Sequence, residues 1–179
     1  VSNTFLVRYA DWVSKYLHKI YTTSLQTLVI PDDWRCAKII PIHKSGSKTE
    51  LNNYRPISLT STSCKMMEHI IFKAIISYLE NNNLIYEKQH GFRTGLSTVT
   101  QLAEITHDIA NTINEGYQID AIFLDFSKAF DVVPHDDLVT KLLSFGIDRN
   151  IVSWISCYLQ NRKQCVKIGE YVSQNLDVY

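Results

Sequence analysis

Asp125 ends a run of apolar residues, Ala121-Ile122-Phe123-Leu124, and is followed by Phe126, Phe130 and a second carboxylate, Asp131. A run of this kind reads as a buried strand over 119–126, which places Asp125 at its carboxyl end, where a sheet presents polar groups to a cleft. A carboxylate held there can take part in clamping divalent cations around a phosphate. The competing reading is a core strand that runs into a loop, with Asp125 as a solvated turn residue.

Basic residues cluster elsewhere. Cys36 to His43 reads as a strand, Ser45-Gly46-Ser47 as a turn, and Tyr54 to Leu59 as a return strand in which Pro56 biases Arg55 towards an extended conformation. The result is a hairpin with Lys44 and Lys48 near its tip and Arg55 on its return arm. A guanidinium offers a fixed fork of donors that suits phosphate oxygens, and a lysine offers a point charge.

Other elements must position these groups. An amphipathic helix is expected from Phe5 to about Thr27, and Pro31 stops it. Thr60-Ser61-Thr62-Ser63 offers caps for a helix bearing Met67, Ile70, Ile71, Ala74, Ile75, Tyr78 and Leu79, which Asn81-Asn82-Asn83 ends. Ser97 caps a helix that Gly116 closes, Pro134 opens another that Gly146 ends, and Asp148 caps a further one through Leu159. Gln164 to Val178 reads as a hairpin turning at Gly169-Glu170. The class is mixed α+β.

Composition narrows the partners. The 179 residues carry 18 Lys/Arg and 18 Asp/Glu, yet residues 1–100 hold 12 against 7 and residues 101–179 hold 6 against 11. A basic part joined to an acidic part suits a protein that grips phosphate backbone with one and metal with the other, although chance asymmetry gives the same pattern. The four cysteines have no zinc-ligand spacing and read as free thiols of a reducing compartment, and the six scattered histidines read as surface or packing residues. No run approaches the ~18–20 apolar residues of a membrane span, and no secretory signal opens the chain. A start at valine and a stop at Tyr179 suggest a piece of something longer.

Taken in order, several blocks match one family: Pro31-Asp32-Asp33-Trp34 with Pro41-Ile42-His43-Lys44, Asn53-Tyr54-Arg55-Pro56-Ile57-Ser58-Leu59, Gln89-His90-Gly91-Phe92-Arg93 with Gly95 and Ser97-Thr98, Phe123 to Asp131 with Val133-Pro134-His135, and Tyr158-Leu159 with Arg162-Lys163-Gln164 and Val166. The series resembles the reverse transcriptase domain of non-LTR (LINE-type) retrotransposons over essentially the whole chain. The resemblance implies a right-hand polymerase fold, with fingers over 1–118 and the first part of the palm over 119–179. It implies an RNA-directed DNA polymerase working by two-metal transfer with Mg2+, or Mn2+ in its place. The partners would be an RNA template, a DNA primer or target and deoxynucleoside triphosphates, and the setting the nucleus.

By position in those blocks, Asp125 is the implied catalytic metal ligand, and the Phe126 backbone carbonyl completes a metal site. The resemblance implies that Phe130 lies beneath the incoming sugar and excludes a 2′-hydroxyl, with a core aromatic the other reading. Arg55 clamps the triphosphate with help from Lys44 or Lys48. Arg93 and Gln89 are candidates for template or nucleotide contact, with loop anchoring the other reading of Arg93. Asp131, Lys128, His135 and Asp136 read as structural. The family's Gly-x-Pro-Gln-Gly block and its hairpin with adjacent Asp-Asp are absent from this sequence, so these 179 residues are expected not to polymerise alone. An inactive RNA-binding fragment or transposon relic is the alternative, and an intron-encoded maturase a more distant one.

Overall fold

The structure is a computed structural model that describes residues 3–178. The chain divides into two compact units, Val1–Lys73 with His135–Tyr179, and Ala74–Pro134. Among the described residues the first holds 15 Lys/Arg against 10 Asp/Glu and the second 3 against 8, so the charge asymmetry follows the units. No described helix is long and apolar enough to cross a membrane.

In the first unit, helices α1 (Asn3–Arg8) and α2 (Ala10–Thr27) are separated at Tyr9, so the single expected helix is two. Leu28, in the left-handed region at φ 59°, ends α2. A short helix α3 (Asp32–Arg35) leads into strand β1 (Cys36–His43), and β2 (Tyr54–Leu59) returns antiparallel to it. Helix α4 (Thr62–Asn81) begins in this unit. Helices α6 (His135–Ser144) and α7 (Arg149–Leu159) follow the second unit, with the Asp148 carboxylate accepting from the N–H groups of Asn150 (2.9 Å) and Ile151 (3.4 Å).

Strand β3 (Arg162–Ile168) then lies parallel to β1, pairing Cys36 with Lys163 and Lys38 with Cys165. It turns at Gly169-Glu170 into β4 (Tyr171–Val172). β5 (Leu176–Val178) resumes the pairing with Gln164 opposite Leu176. Two residues of β3 face three of the return strand across that gap, which is a one-residue bulge around Ser173. Ser173 fastens it, since its hydroxyl accepts from Val166 N–H at 2.9 Å and its own N–H donates to Val166 O at 2.9 Å.

The core lies between one face of this sheet and α2, α4 and α7. Ala37 and Ile39 point into it from alternate positions of β1, and Trp34, Met67, Cys64, Val152, Trp154 and Tyr158 fill it. Trp154 meets Trp34 edge-on at 6.5 Å and stacks on Tyr158 at 5.2 Å. Every polar tip in this cluster is spoken for. Trp154 Nε1 donates to Ser24 Oγ (2.9 Å), which donates to Val29 O (2.8 Å). Trp34 Nε1 donates to Ser63 Oγ (3.1 Å), Tyr21 OH to Ser63 O (2.8 Å), and Tyr158 OH to Glu68 Oε1. With its proton so engaged, the Tyr158 oxygen is left to accept from the Cys64 thiol at 3.1 Å. All four cysteines are free thiols, as their spacing suggests.

Burial pushes the Tyr158 and Tyr21 phenols above the ordinary 10.0, with Cys64 adding to both shifts. A phenol whose folded pKa exceeds its unfolded one contributes stability that is intact below the unfolded value and is lost as pH rises beyond it. Thermal melts are therefore expected to hold steady from about pH 8 to 9.5 and to shift downward above about pH 10. A midpoint unchanged to about pH 11 would contradict the burial of both rings.

In the second unit, the end of α4 leads through loop 82–97 to helix α5 (Thr98–Asn114). Ser97 Oγ accepts from Thr100 N–H at 3.2 Å, and Thr100 Oγ1 accepts from Ser97 N–H at 2.9 Å. This is a reciprocal cap. Gly116, at φ 84°, closes the helix. The strand expected over 119–126 is not formed. That segment has no ladder partner among the described residues, and Phe123 and Leu124 are 92% and 90% exposed. An apolar run becomes a strand only when neighbouring strands take its N–H and C=O groups and cover its side chains.

Candidate nucleotide and metal site

Arg55 stands on β2 opposite Ile42, exposed, and the loop that joins β1 to β2 is tightly built. Lys44 N–H donates to Asn53 O at 2.8 Å, and Asn53 Nδ2 donates to Ser47 O at 2.9 Å. Tyr54 OH donates to Lys48 O at 2.9 Å, while the His43 and Tyr54 rings meet edge-on at 5.3 Å. Lys44 and Lys48 are thus exposed on an ordered loop, on the same hairpin as Arg55. Asn53 and Tyr54 were legible only as neighbours of Arg55, yet their side chains fold the loop.

Gly46 lies at φ +79°, and a Cβ there would meet Asn53 Nδ2 at 2.6 Å. Gly46→Ala is expected to cost about 1–2 kcal/mol and to loosen the hairpin tip. Urea unfolding with hydrogen exchange at Lys44 and Asn53 checks this, and wild-type protection in the variant would contradict it.

In the second unit the buried group is a histidine. His90 Nε2 lies 2.7 Å from Glu104 Oε2 and Nδ1 lies 2.8 Å from Thr100 Oγ1. Lys88 joins the same carboxylate at 3.1 Å and reaches Asp108 at 2.9 Å. The His90 hydrogen bond, then that of Lys88, holds the Glu104 carboxyl below the usual carboxylate range. This network fixes the Gln89–Arg93 loop to α5. His90 was read as one of several surface or packing histidines; its place inside the Gln-His-Gly-Phe-Arg block was the available signal.

Arg93 is half-buried in that loop. Its Nη1 donates to Glu87 O at 3.3 Å, and its Nε lies 3.6 Å from Glu80 Oε1 without a hydrogen bond. Gln89 is exposed, with its Nε2 donating to Gly91 O at 3.2 Å. Phe130 is exposed in a turn and meets Phe92 edge-on at 6.2 Å. Asp125 and Phe126 are exposed on the unpaired 119–126 segment. Arg55, Lys44 and Lys48 therefore sit in the first unit, and Gln89, Arg93, Asp125, Phe126 and Phe130 in the second.

A pair of divalent cations needs several carboxylates around it. Among the described residues no three His, Cys, Asp or Glu side chains converge, so Asp125 is not part of a three-ligand cluster there. The described residues do not by themselves make a two-metal cage.

Residues 42–176 match the family described as reverse transcriptase (RNA-dependent DNA polymerase). Among curated proteins, the chain is 32% identical over 154 residues to a probable RNA-directed DNA polymerase from transposon BS of Drosophila melanogaster, covering 86% of this chain and 17% of the relative. It is 29% identical over 164 residues to the corresponding X-element protein of the same organism, covering 91% and 18%. To the RNA-directed DNA polymerase from its mobile element jockey it is 33% identical over 133 residues, covering 73% and 14%. The chain thus spans about a sixth of the length of these relatives. With the matched blocks running in order through the β1–β2 hairpin, the Gln89–Arg93 loop, the Asp125 segment and β3, the chain belongs to the reverse transcriptase family, in its non-LTR retrotransposon branch.

Proposed function

We propose that this chain is part of a polymerase that copies RNA into DNA, adding deoxynucleotides to a primer 3′-hydroxyl. The observation that carries this reading is the family match over residues 42–176, which takes in every candidate site residue. Within it, residues 1–118 serve as fingers and 119–179 as the start of the palm. Arg55 forks onto the triphosphate with Lys44 or Lys48 beside it, and a guanidinium on an ordered hairpin loses little freedom in doing so. Phe130 packs under the sugar and leaves no room for a 2′-hydroxyl. Gln89 and Arg93 meet the template or the nucleotide.

The family uses divalent metal ions. The finer proposal is Mg2+, with Asp125 as one carboxylate of the set and the Phe126 carbonyl beside it. The RNA template, the DNA primer and nuclear action at a DNA target belong to the same proposal.

Arg55→Lys tests the clamp in the full-length protein by single-nucleotide addition to a primer on an RNA template. Losing a bidentate charged contact of about 1.5–3 kcal/mol raises the KM for deoxynucleotide by about 10- to 100-fold. Asp125-dependent chemistry at saturating nucleotide falls much less. An unchanged KM would contradict the clamp.

A further inference from the structure

His90 sits where a proton can decide how firmly a loop is held. Its ring is 9% exposed between the Gln89–Arg93 loop and α5, with Nε2 on Glu104 Oε2 at 2.7 Å and Nδ1 on Thr100 Oγ1 at 2.8 Å. The Glu104 carboxyl is held below the usual carboxylate range, by the His90 hydrogen bond first and that of Lys88 second. A carboxylate only accepts, so Nε2 carries a hydrogen.

Nδ1 is the atom that can change. Thr100 has one hydroxyl hydrogen, which goes to Ser97 O at 2.8 Å, and its oxygen already accepts from Ser97 N–H at 2.9 Å. The remaining lone pair faces Nδ1, so this contact is a hydrogen bond when Nδ1 also carries a hydrogen. A neutral ring keeps the bond only by drawing the Thr100 hydrogen away from Ser97 O. A doubly protonated ring makes both bonds and leaves Thr100 as it is.

The surrounding charges agree. From α5, Glu104 and Asp108 face the loop, and Lys88 bonds both, at 3.1 and 2.9 Å. His107 of the same helix is engaged with Asn111 at 2.9 Å. From α4, Glu80 lies beside Arg93 instead, at 3.6 Å. One ammonium thus meets two carboxylates, and an imidazolium at His90 balances them.

The loop also needs holding. Phe92 is in the left-handed region at φ 61°, with its ring 76% exposed. A residue with a side chain adopts that conformation at a cost and keeps it only where its surroundings impose it. The bonds of His90, two residues away, impose it here.

We infer that His90 is a positioning residue that works as a proton-operated latch: with its second proton it ties the Gln89–Arg93 loop to α5, and without it the loop loosens. The inference rests on the polymerase reading, in which Gln89 and Arg93 meet the template or the nucleotide. It adds what sets their placement and makes that placement respond to pH. Histidine exchanges its second proton between about pH 5 and 8, so the latch is closed at the lower end and opens as pH rises. Glu104, with its carboxyl held low, stays ionised throughout that range.

The test is amide hydrogen exchange of the full-length protein at about pH 6 and about pH 8, read as protection of residues 88–93 with intrinsic rates divided out. The parent is expected to lose about 10-fold in protection at the higher pH. H90Q keeps one neutral donor and gains no proton, so its protection is expected to be low at both and to change by less than about 2-fold. E104Q leaves the ring in place without its counter-charge and is expected to behave as H90Q does. H107Q is expected to keep the parental response. In single-nucleotide addition, H90Q is expected to raise the KM for primer–template or for deoxynucleotide about 10-fold over the parent at about pH 6 and less than about 3-fold at about pH 8, with kcat within about 2-fold.

Parental protection that does not change with pH would overturn the latch. So would the parental response in H90Q, or its loss in H107Q. A lower kcat at unchanged KM would overturn it too, since that is not an effect of placement. If H90Q melts early, E104Q carries the reading. Exchange needs no catalysis, so a parent that adds no nucleotide counts against the polymerase reading alone, while the latch stands or falls on protection.

Discussion

Replacing Trp154 with alanine is expected to remove about 3–5 kcal/mol of stability from the first unit. The side chain is 1% exposed, stacked on Tyr158 and edge-on to Trp34, and its Nε1 donates to Ser24. Truncating a buried tryptophan costs about 3–5 kcal/mol, against a total stability of about 5–15 kcal/mol for a typical domain. Cavities of that size collapse little when the walls are other aromatics already in close contact. Trp154→Phe keeps most of the ring and loses the N–H bond, so about 1–2 kcal/mol is expected there. Urea unfolding followed by circular dichroism separates the two, and an alanine variant within about 1 kcal/mol of the parent would refute this account of the core.

Much of the secondary structure was legible in the sequence because its signals are local. Ser97, Asp148, Gly116 and Gly146 marked helix ends through capping chemistry, which depends on a few neighbouring residues. Both hairpins were legible for the same reason, from alternation around Ser45-Gly46-Ser47 and Gly169-Glu170. The parallel pairing of β1 with β3 was not, since nothing within either strand names a partner so distant in the chain. The bulge at Ser173 was equally hidden, because one extra residue in a return strand leaves the hydrophobic pattern almost unchanged.

The 119–126 segment shows the opposite failure. Ile122 and Phe123 carry strong β propensity, yet propensity reflects packing on neighbours, and no described strand lies alongside them. The candidate site was proposed from the order of its blocks. Arg55, Arg93 and Asp125 individually match many surface residues. What the structure adds is local scaffolding within each unit: Asn53 and Gly46 shaping the hairpin tip, and His90 with Glu104 and Thr100 pinning the Gln89–Arg93 loop.

The second large effect concerns Asp125. If it is one of the carboxylates around a divalent ion, exchanging it for asparagine removes a full negative charge while keeping the side chain's size. Electrostatic groups that stabilise developing charge at such sites are worth several kcal/mol, and about 4 kcal/mol corresponds to about 10³ in rate. Folding is expected to be unaffected, because Asp125 is exposed and has no ladder or core to support. That combination, a large loss of rate with an unchanged melt, distinguishes chemistry from structure. Residues 1–179 alone, whose described part holds no cluster of three ligand side chains, are expected to give no extension above that of their own Asp125→Asn variant.

The most direct measurement is extension of a labelled DNA primer on an RNA template by the full-length protein, with deoxynucleotides and Mg2+, in the parent and in Asp125→Asn. The account predicts template-dependent addition by the parent and a loss of about 10³-fold or more in the variant, at equal thermal stability. Extension by Asp125→Asn at the parental rate would contradict it.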